Sequence, residues 1–315
     1  MAVFLPTLNQ MGFLLLLIAI GYLLTRLRAI PDDTTKALSK LENNLFIPAL
    51  VLGTFMQKFT VQNFKTSGLF LLVGLITALS CVPLSLLATR FCSKDAYTRK
   101  IYAYGLAFSN FGFMGNTVVQ ALFPEIFMEY LVFTLPLWAV AYCWGVPTLL
   151  IPREEGATIS LKSRLKPLLN PMFIATILGM ILGLIALPIP SFVNNTVNTL
   201  GSCMSPIAML LTGMTVAKID FKKILRIPSI YVITAVKLLL FPAIGLLLFL
   251  FVDAPHAIAV CTMCVLAMPT GLSNIVIPSG YGMDTSVASG LALISHLLSC
   301  LTIPVVFMLF QLITA

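Results

Sequence analysis

Long apolar runs separated by short polar connectors recur along the whole chain, at about 11–25, 37–57, 66–90, 99–122 and 128–151. A second set follows at about 170–188, 194–217, 228–252, 255–280 and 284–313. Each is close to the roughly 20 residues that carry a helix across a bilayer core. The pattern predicts an all-α membrane protein with ten transmembrane helices. No Lys or Arg precedes the first run, which therefore reads as a spanning helix rather than a cleavable leader.

The two sets resemble each other at an offset of about 158 residues. Leu45-Phe-Ile-Pro48-Ala-Leu-Val-Leu-Gly-Thr54 aligns with Cys203-Met-Ser-Pro206-Ile-Ala-Met-Leu-Leu-Thr212, and Asn63-Phe-Lys65 with Asp220-Phe-Lys222. Leu8-Asn-Gln-Met11 matches Leu169-Asn-Pro-Met172, Ile30-Pro31 matches Ile189-Pro190, and Asn116 falls on Asn274. Five spans per half is an odd number, so the second half enters the membrane in the opposite sense. The expectation is two inverted repeats, 1–160 and 161–315, an architecture common among secondary transporters.

The fourth span of each half is interrupted. The first reads Gly105-Leu-Ala-Phe-Ser109-Asn110-Phe-Gly112-Phe-Met-Gly115-Asn116-Thr117 and the second Met268-Pro269-Thr270-Gly271-Leu-Ser273-Asn274. Gly costs about 1 kcal/mol and Pro about 3 inside a helix. Unwound backbone at membrane depth is tolerated only inside protein or along a wet cavity. Paired interruptions in two repeats mark a transport site. Packing by small residues explains Gly179-x-x-x-Gly183 well. It explains the buried amides of Asn110, Asn116 and Asn274 poorly, because each needs partners.

Composition and charge narrow the class. Of 315 residues 59% are apolar and 10% charged, with net charge +8, against about 45–50% and 25% in soluble domains. A soluble enzyme, a disordered chain and a nucleic-acid binder are excluded. Sixteen of the 19 basic residues fall in the loops 26–40, 90–100, 152–168 and 218–226, which the alternation of spans puts on one side. The positive-inside rule makes that side cytoplasmic and leaves both termini outside. Lys58 and Lys65 fall on the other side, and Lys237 lies within a span.

No acid lies at the centre of a predicted helix; Glu42, near a cytoplasmic end, comes closest. A cationic cargo therefore lacks a fixed counter-charge. Lys237 is an expensive intramembrane cation, either snorkelling to the surface or giving charge to the cargo or to the interrupted helices. Half-helix N-termini add partial positive charge and free N–H groups. The expected cargo is an anion. Asn43 and Asn44 either line the cavity or link two helices, and His296 is either a packed, hydrogen-bonded residue or a proton carrier.

Cys261-Thr-Met-Cys264 lacks a second Cys or His pair, so no metal is expected. Gly271-Leu-Ser273-Asn274 and Gly282-Met-Asp284 supply neither a serine-hydrolase motif nor a second intramembrane Asp. No catalytic residues and no cofactor are expected.

At Ser109-Asn-x-Gly-Phe-Met-Gly115, Ala267-Met-Pro-Thr-Gly271, Tyr281-Gly282 and the run 286–309, the chain resembles the auxin efflux carrier family, which includes plant auxin exporters and bacterial permeases for small organic acids. Many relatives have a Pro just after the position of Gly115, and the plant carriers one near Asn274; this chain has Asn116-Thr117 and Ser273-Asn274 there. The resemblance implies that the fourth and ninth helices cross near the midplane. It implies a scaffold of helices 1, 2, 6 and 7 that often dimerises, a moving transport unit of helices 3–5 and 8–10, and Asn110 as a cargo contact.

The expected function is an integral transporter of the plasma (inner) membrane that carries a small carboxylate, such as malate, malonate or an auxin-like acid, by alternating access. A sodium-coupled bile-acid-type symporter and an anion channel are the alternatives. The coupling ion, H+ or Na+, stays open. The expected substrate-binding residues are Asn110, Asn116, Thr117, Thr270, Ser273 and Asn274, supported by Ser109, Asn43, Asn44, Lys237 and His296.

Overall fold

The apolar runs fold as helices, and no strand forms among the described residues. The computed structural model describes residues 4–152, 165–218, 224 and 226–314. The expected repeat boundary at 160/161, the basic residues Arg153, Lys162, Arg164, Lys222 and Lys223, and the Asp220–Lys222 match lie outside the described residues.

The first half holds α1 (Phe4–Arg26), α2 (Thr34–Leu41), α3 (Ile47–Lys58), α4 (Val61–Thr89), α5 (Ala96–Ala107), α6 (Asn116–Leu122) and α7 (Phe127–Val140). The second holds α8 (Pro171–Leu184), α9 (Ser191–Ser202), α10 (Met204–Ala217), α11 (Pro228–Ala235) and α12 (Phe241–Phe251). It ends with α13 (His256–Ala267), α14 (Ser273–Gly280) and α15 (Ser286–Thr314). Six helical runs among the described residues are long and apolar enough to cross a membrane: 4–26, 61–89, 124–150, 191–217, 228–251 and 286–314. Helices 171–184 and 256–267 are apolar but shorter. The first helix starts at Phe4, well before the expected Met11, because its early polar residues Thr7, Asn9 and Gln10 do not stop a helix.

Proline placement explains much of the irregularity. The π-helical turns Glu42–Phe46 and Val236–Leu240 each end two residues before a proline, Pro48 and Pro242. Proline has no N–H, and its ring crowds the carbonyl four residues back. That carbonyl belongs to Asn44 or Leu238, inside the widened turn, where one extra residue relieves the clash.

Helix α1 lies along α10, and α3 along α8 and α9. A Cβ at Gly21 would strike the backbone carbonyl of Leu210, and one at Gly213 that of Ile18. Two glycines facing across one interface thus set the spacing of α1 and α10. Elsewhere α4 packs on α5 and α7, and α15 on α11, α12 and α13. The two groups touch where α1 meets α15 and α6, and where α3 meets α7. Leu16, Leu72, Leu248 and Leu301 point outward from four of these helices, the apolar exterior expected of a protein solvated by lipid.

Three hydrogen bonds tie the connectors together. Lys218 Nζ donates to Asp32 O at 3.0 Å, Tyr97 Oη to Asp284 O at 3.0 Å, and Lys58 Nζ to Pro124 O at 3.1 Å. Each joins two loops that alternation of the expected spans puts on the same face.

Candidate functional site

Helix α5 stops at Ala107, where Phe108 turns extended (φ −119°, ψ 92°). Helix α13 stops at Ala267, where Met268 is extended (φ −68°, ψ 147°). Met268 precedes Pro269, and the residue before proline is driven out of the helical region. The two extended links lie against each other. Ser109 and Thr270 pair as an isolated antiparallel bridge, and the Asn110 N–H donates to Pro269 O at 2.7 Å.

Each broken helix leaves orphan carbonyls at its C-terminal end, and groups outside that helix meet them. The helical partner of Leu106 O is the N–H of Asn110, which has gone to Pro269; Lys237 Nζ donates to Leu106 O instead, at 3.2 Å. A cation at a helix C-terminus also opposes the negative end of the helix dipole. The helical partner of Val265 O is residue 269, a proline without N–H; Ser109 Oγ donates to it at 2.7 Å. Lys237 is fully buried. It does not snorkel, and it lies over the Phe241 ring at 4.9 Å.

The links then feed two half-helices that start side by side. A void of about 20 Å³ is bounded by the first turn after each break, 111–113 and 271–273, together with Ser109, Asn110 and Trp138. Both half-helix N-termini, with their unpaired N–H groups and positive dipole ends, therefore converge on one space. Its size admits about one water molecule and no organic acid.

The sequence matches the membrane transport protein family over residues 6–307. That family is the auxin efflux carriers, and the match spans nearly the whole chain. The chain belongs to it. No curated protein matches the chain significantly. The protein is accordingly a membrane transporter.

The structure of this auxin efflux carrier family member sorts the expected site residues. Ser109, Asn110 and Ser273 line the small void. Asn110 Nδ2 lies 2.9 Å from His296 Nε2, and His296 Nδ1 lies 2.7 Å from Ala292 O. Thr270 is held by Ser295, whose Oγ accepts from the Thr270 N–H at 3.3 Å and lies 3.0 Å from its Oγ1. Asn274 donates through Nδ2 to Ile101 O at 3.1 Å, in a space left by Gly105, where a Cβ would come within 3.0 Å of that nitrogen. Thr270, Asn274 and Lys237 thus brace the broken helices.

Asn116 lines a neighbouring void of about 10 Å³ with Ile47, Gly112, Trp138 and Met172. Thr117 bonds back to Phe113 O at 2.9 Å and does not line either void. Asn43 and Asn44 are exposed, donate to Ser39 O and Lys40 O, and line a cavity of about 300 Å³ with Trp138 and Tyr142. They line this cavity and not the void beside the two extended links. A second cavity of about 300 Å³ lies between α3, α9 and the end of α6, where Lys58 and Gln57 face Asn198. Among the described residues no three His, Cys, Asp or Glu side chains gather at a metal-binding spacing.

Trp138 is the residue the sequence reading missed. It borders both voids and the Asn43/Asn44 cavity, stacks on Tyr142 at 5.4 Å and meets Phe111 edge-on at 4.8 Å. Its ring fills the place where a Gly112 Cβ would stand. Trp138 is thus a wall that both small voids share with the Asn43/Asn44 cavity. The one signal was that only 2 tryptophans occur in the chain, and an apolar span hides such a residue. Ser295, the anchor of Thr270, gave no signal at all.

Proposed function

We propose that this transporter carries a small organic anion, a carboxylate of the malate, malonate or auxin-like class, by alternating access around the meeting point of its two broken segments. One observation carries the reading: the N-terminal turns of both half-helices and the Asn110 side chain border a single buried void. Helix N-termini attract anions, and convergent half-helices are how transporters meet an anionic group at the midplane. Lys237 adds fixed positive charge through the α5 end rather than by facing the cargo.

In this reading the ten expected spans form two inverted repeats, with both termini outside a plasma (inner) membrane. The group α1, α3, α8, α9 and α10 is the scaffold, and the group bearing the crossing moves against it. The void of about 20 Å³ shares the Trp138 wall with the cavity of about 300 Å³ at Asn43 and Asn44, and a second cavity of that size lies at the Lys58 end of α3. Cargo reaches Asn110 when Trp138 swings aside.

Uptake of labelled malate, malonate and indole-3-acetate into proteoliposomes tests this. Saturable, counterflow-competent transport supports a carrier, and non-saturating flux supports a channel. Sodium-dependent uptake moves the reading to the sodium-coupled alternative. Transport unchanged in Asn110→Ala, Asn116→Ala and Asn274→Ala together removes the site.

A further inference from the structure

Asn110 and His296 face each other inside the protein with their hydrogen-bond roles determined by a third group. Ala292 O, 2.7 Å from His296 Nδ1, is a carbonyl and only accepts, so Nδ1 carries a hydrogen. In a neutral imidazole the other nitrogen, Nε2, is then an acceptor. Asn110 lies 2.9 Å away and must present its Nδ2 donor to Nε2. Its Oδ1 is consequently turned elsewhere and has no hydrogen-bond partner, although the residue is only 2% exposed and lines the void between the half-helices. A lone amide oxygen there repels a carboxylate.

A proton on Nε2 reverses the roles across the Asn110 contact and leaves the Nδ1–H bond to Ala292 O in place. Nε2–H becomes a donor, the Asn110 amide turns over so that Oδ1 accepts, and Nδ2 is released toward the void. The Oδ1 atom gains the partner it lacked. The void exchanges an acceptor for a donor and gains a neighbouring positive charge. Given an anion carrier of the kind proposed, we infer that His296 is its proton site: one proton taken up at Nε2 turns Asn110 into a cargo donor, so that one proton and one carboxylate are bound together. The proton comes from the aqueous side that delivers the cargo and leaves with it; no bond other than N–H forms or breaks.

The surroundings favour coupling. The elements packed on α15 bring Tyr22 and Arg26 from α1, Tyr97, Arg99, Lys100, Tyr102 and Tyr104 from α5, and Tyr231 from α11. They also bring Lys237 from the π-turn and His256, Cys261 and Cys264 from α13, while α15 itself adds Cys300. Lys237 is the buried cation among them, held at Leu106 O one helical turn before Asn110. A charge taken into this apolar interior is opposed by its lost hydration, and the arriving carboxylate offsets that cost. Neither proton nor anion is well held alone.

The chain has 2 histidines, so 15N-histidine labelling in lipid nanodiscs yields two ring systems, assigned with His256→Gln. His296 is expected as the Nδ1–H tautomer at neutral pH without organic acid, and as imidazolium on acidification, with malonate moving that midpoint upward. An Nε2–H tautomer, or a ring that stays neutral on acidification, overturns the inference with no reference to transport. In proteoliposomes, an acidic outside is expected to speed wild-type uptake of whichever of malate, malonate or indole-3-acetate is carried. His296→Gln is expected to abolish that dependence and Glu42→Gln to retain it. Loss in Glu42→Gln with retention in His296→Gln assigns the proton to Glu42, whose two carboxylate oxygens are also buried without partners, and overturns the inference. If the wild type carries none of the three acids, the anion reading fails, and the NMR result alone decides the proton site.

Discussion

At the first break the link residues reach outward, Ser109 to Val265 O and Asn110 to His296. At the second break Pro269 has no N–H to give, and Thr270 is held at both its N–H and its hydroxyl by Ser295. The half-helices that follow differ in the same way. After the first break Asn110 Oδ1 and Asn116 Oδ1 stay unpartnered beside voids. After the second, Asn274 spends its donor on α5, and its Oδ1, also without a partner, borders neither void; of the expected residues there only Ser273 does. Two segments of similar pattern thus differ in placement: the second is tied into its neighbours through Thr270 and Asn274, and the first leaves two amide side chains beside voids. All three amide oxygens are unpartnered, so placement beside a void, more than spare hydrogen-bonding capacity, tells the two apart.

That division can be broken by substitution. The largest effect is expected from Gly112→Leu, which puts a side chain where the Trp138 ring lies; overpacking of this kind costs ~3 kcal/mol or more. Thermal stability in detergent and transport should fall together. Asn110→Ala comes next. Loss of a hydrogen bond to a charged cargo is worth ~1.5–3 kcal/mol, so transport should drop by about 10- to 100-fold, beside a stability loss of ~1 kcal/mol from the broken bond to His296. Thr270→Val should lower stability by a similar ~1 kcal/mol through its lost bond to Ser295 while leaving the cargo KM alone. A large KM change in Thr270→Val with none in Asn110→Ala would reverse the two roles.

The smallest effect sharpens the control. Asp95 caps α5 through the Thr98 N–H at 2.7 Å, and that bond holds its carboxyl below the usual carboxylate value. The folded value lies below the unfolded one, so the cap's contribution is present above the unfolded value and is lost as pH falls through the folded one. Asp95→Ala should cost ~0.5 kcal/mol, seen as a small drop in melting temperature at neutral pH that vanishes in acid. Transport should not change.

Several of these residues were legible as a set. Pro269 and the clustered Gly, Ser and Asn residues at 105–117 and 268–274 marked both breaks, and the structure ends α5 and α13 there. The Gly179-x-x-x-Gly183 stripe was legible as packing, and both glycines do sit against the α3 backbone at Leu52 and Phe55. Individual duties were not legible. Lys237 was left between cargo and crossing, and the structure turns it to Leu106 O. Asn43 and Asn44 were left between cavity and link, and they line a cavity while bonding within their own helix. Thr117 was expected at the site and spends its hydroxyl on Phe113 O. A polar residue in an apolar span advertises that it needs a partner, but the partner is a matter of three dimensions.

The sequence by itself determined the solvent, the all-helical class, the two interruptions and the family, because each depends on patterns local to one stretch: apolar run length, proline and glycine placement, and motif. Only the tertiary structure decided that Ser109 pairs with Thr270, that Trp138 lines both the small void and the Asn43/Asn44 cavity, and that Asn110 meets His296 across 186 residues of chain. Hydrogen bonds between distant segments depend on where helices break and how closely they pack. Those distances come from the summed contacts of the whole core, which no single stretch of sequence contains.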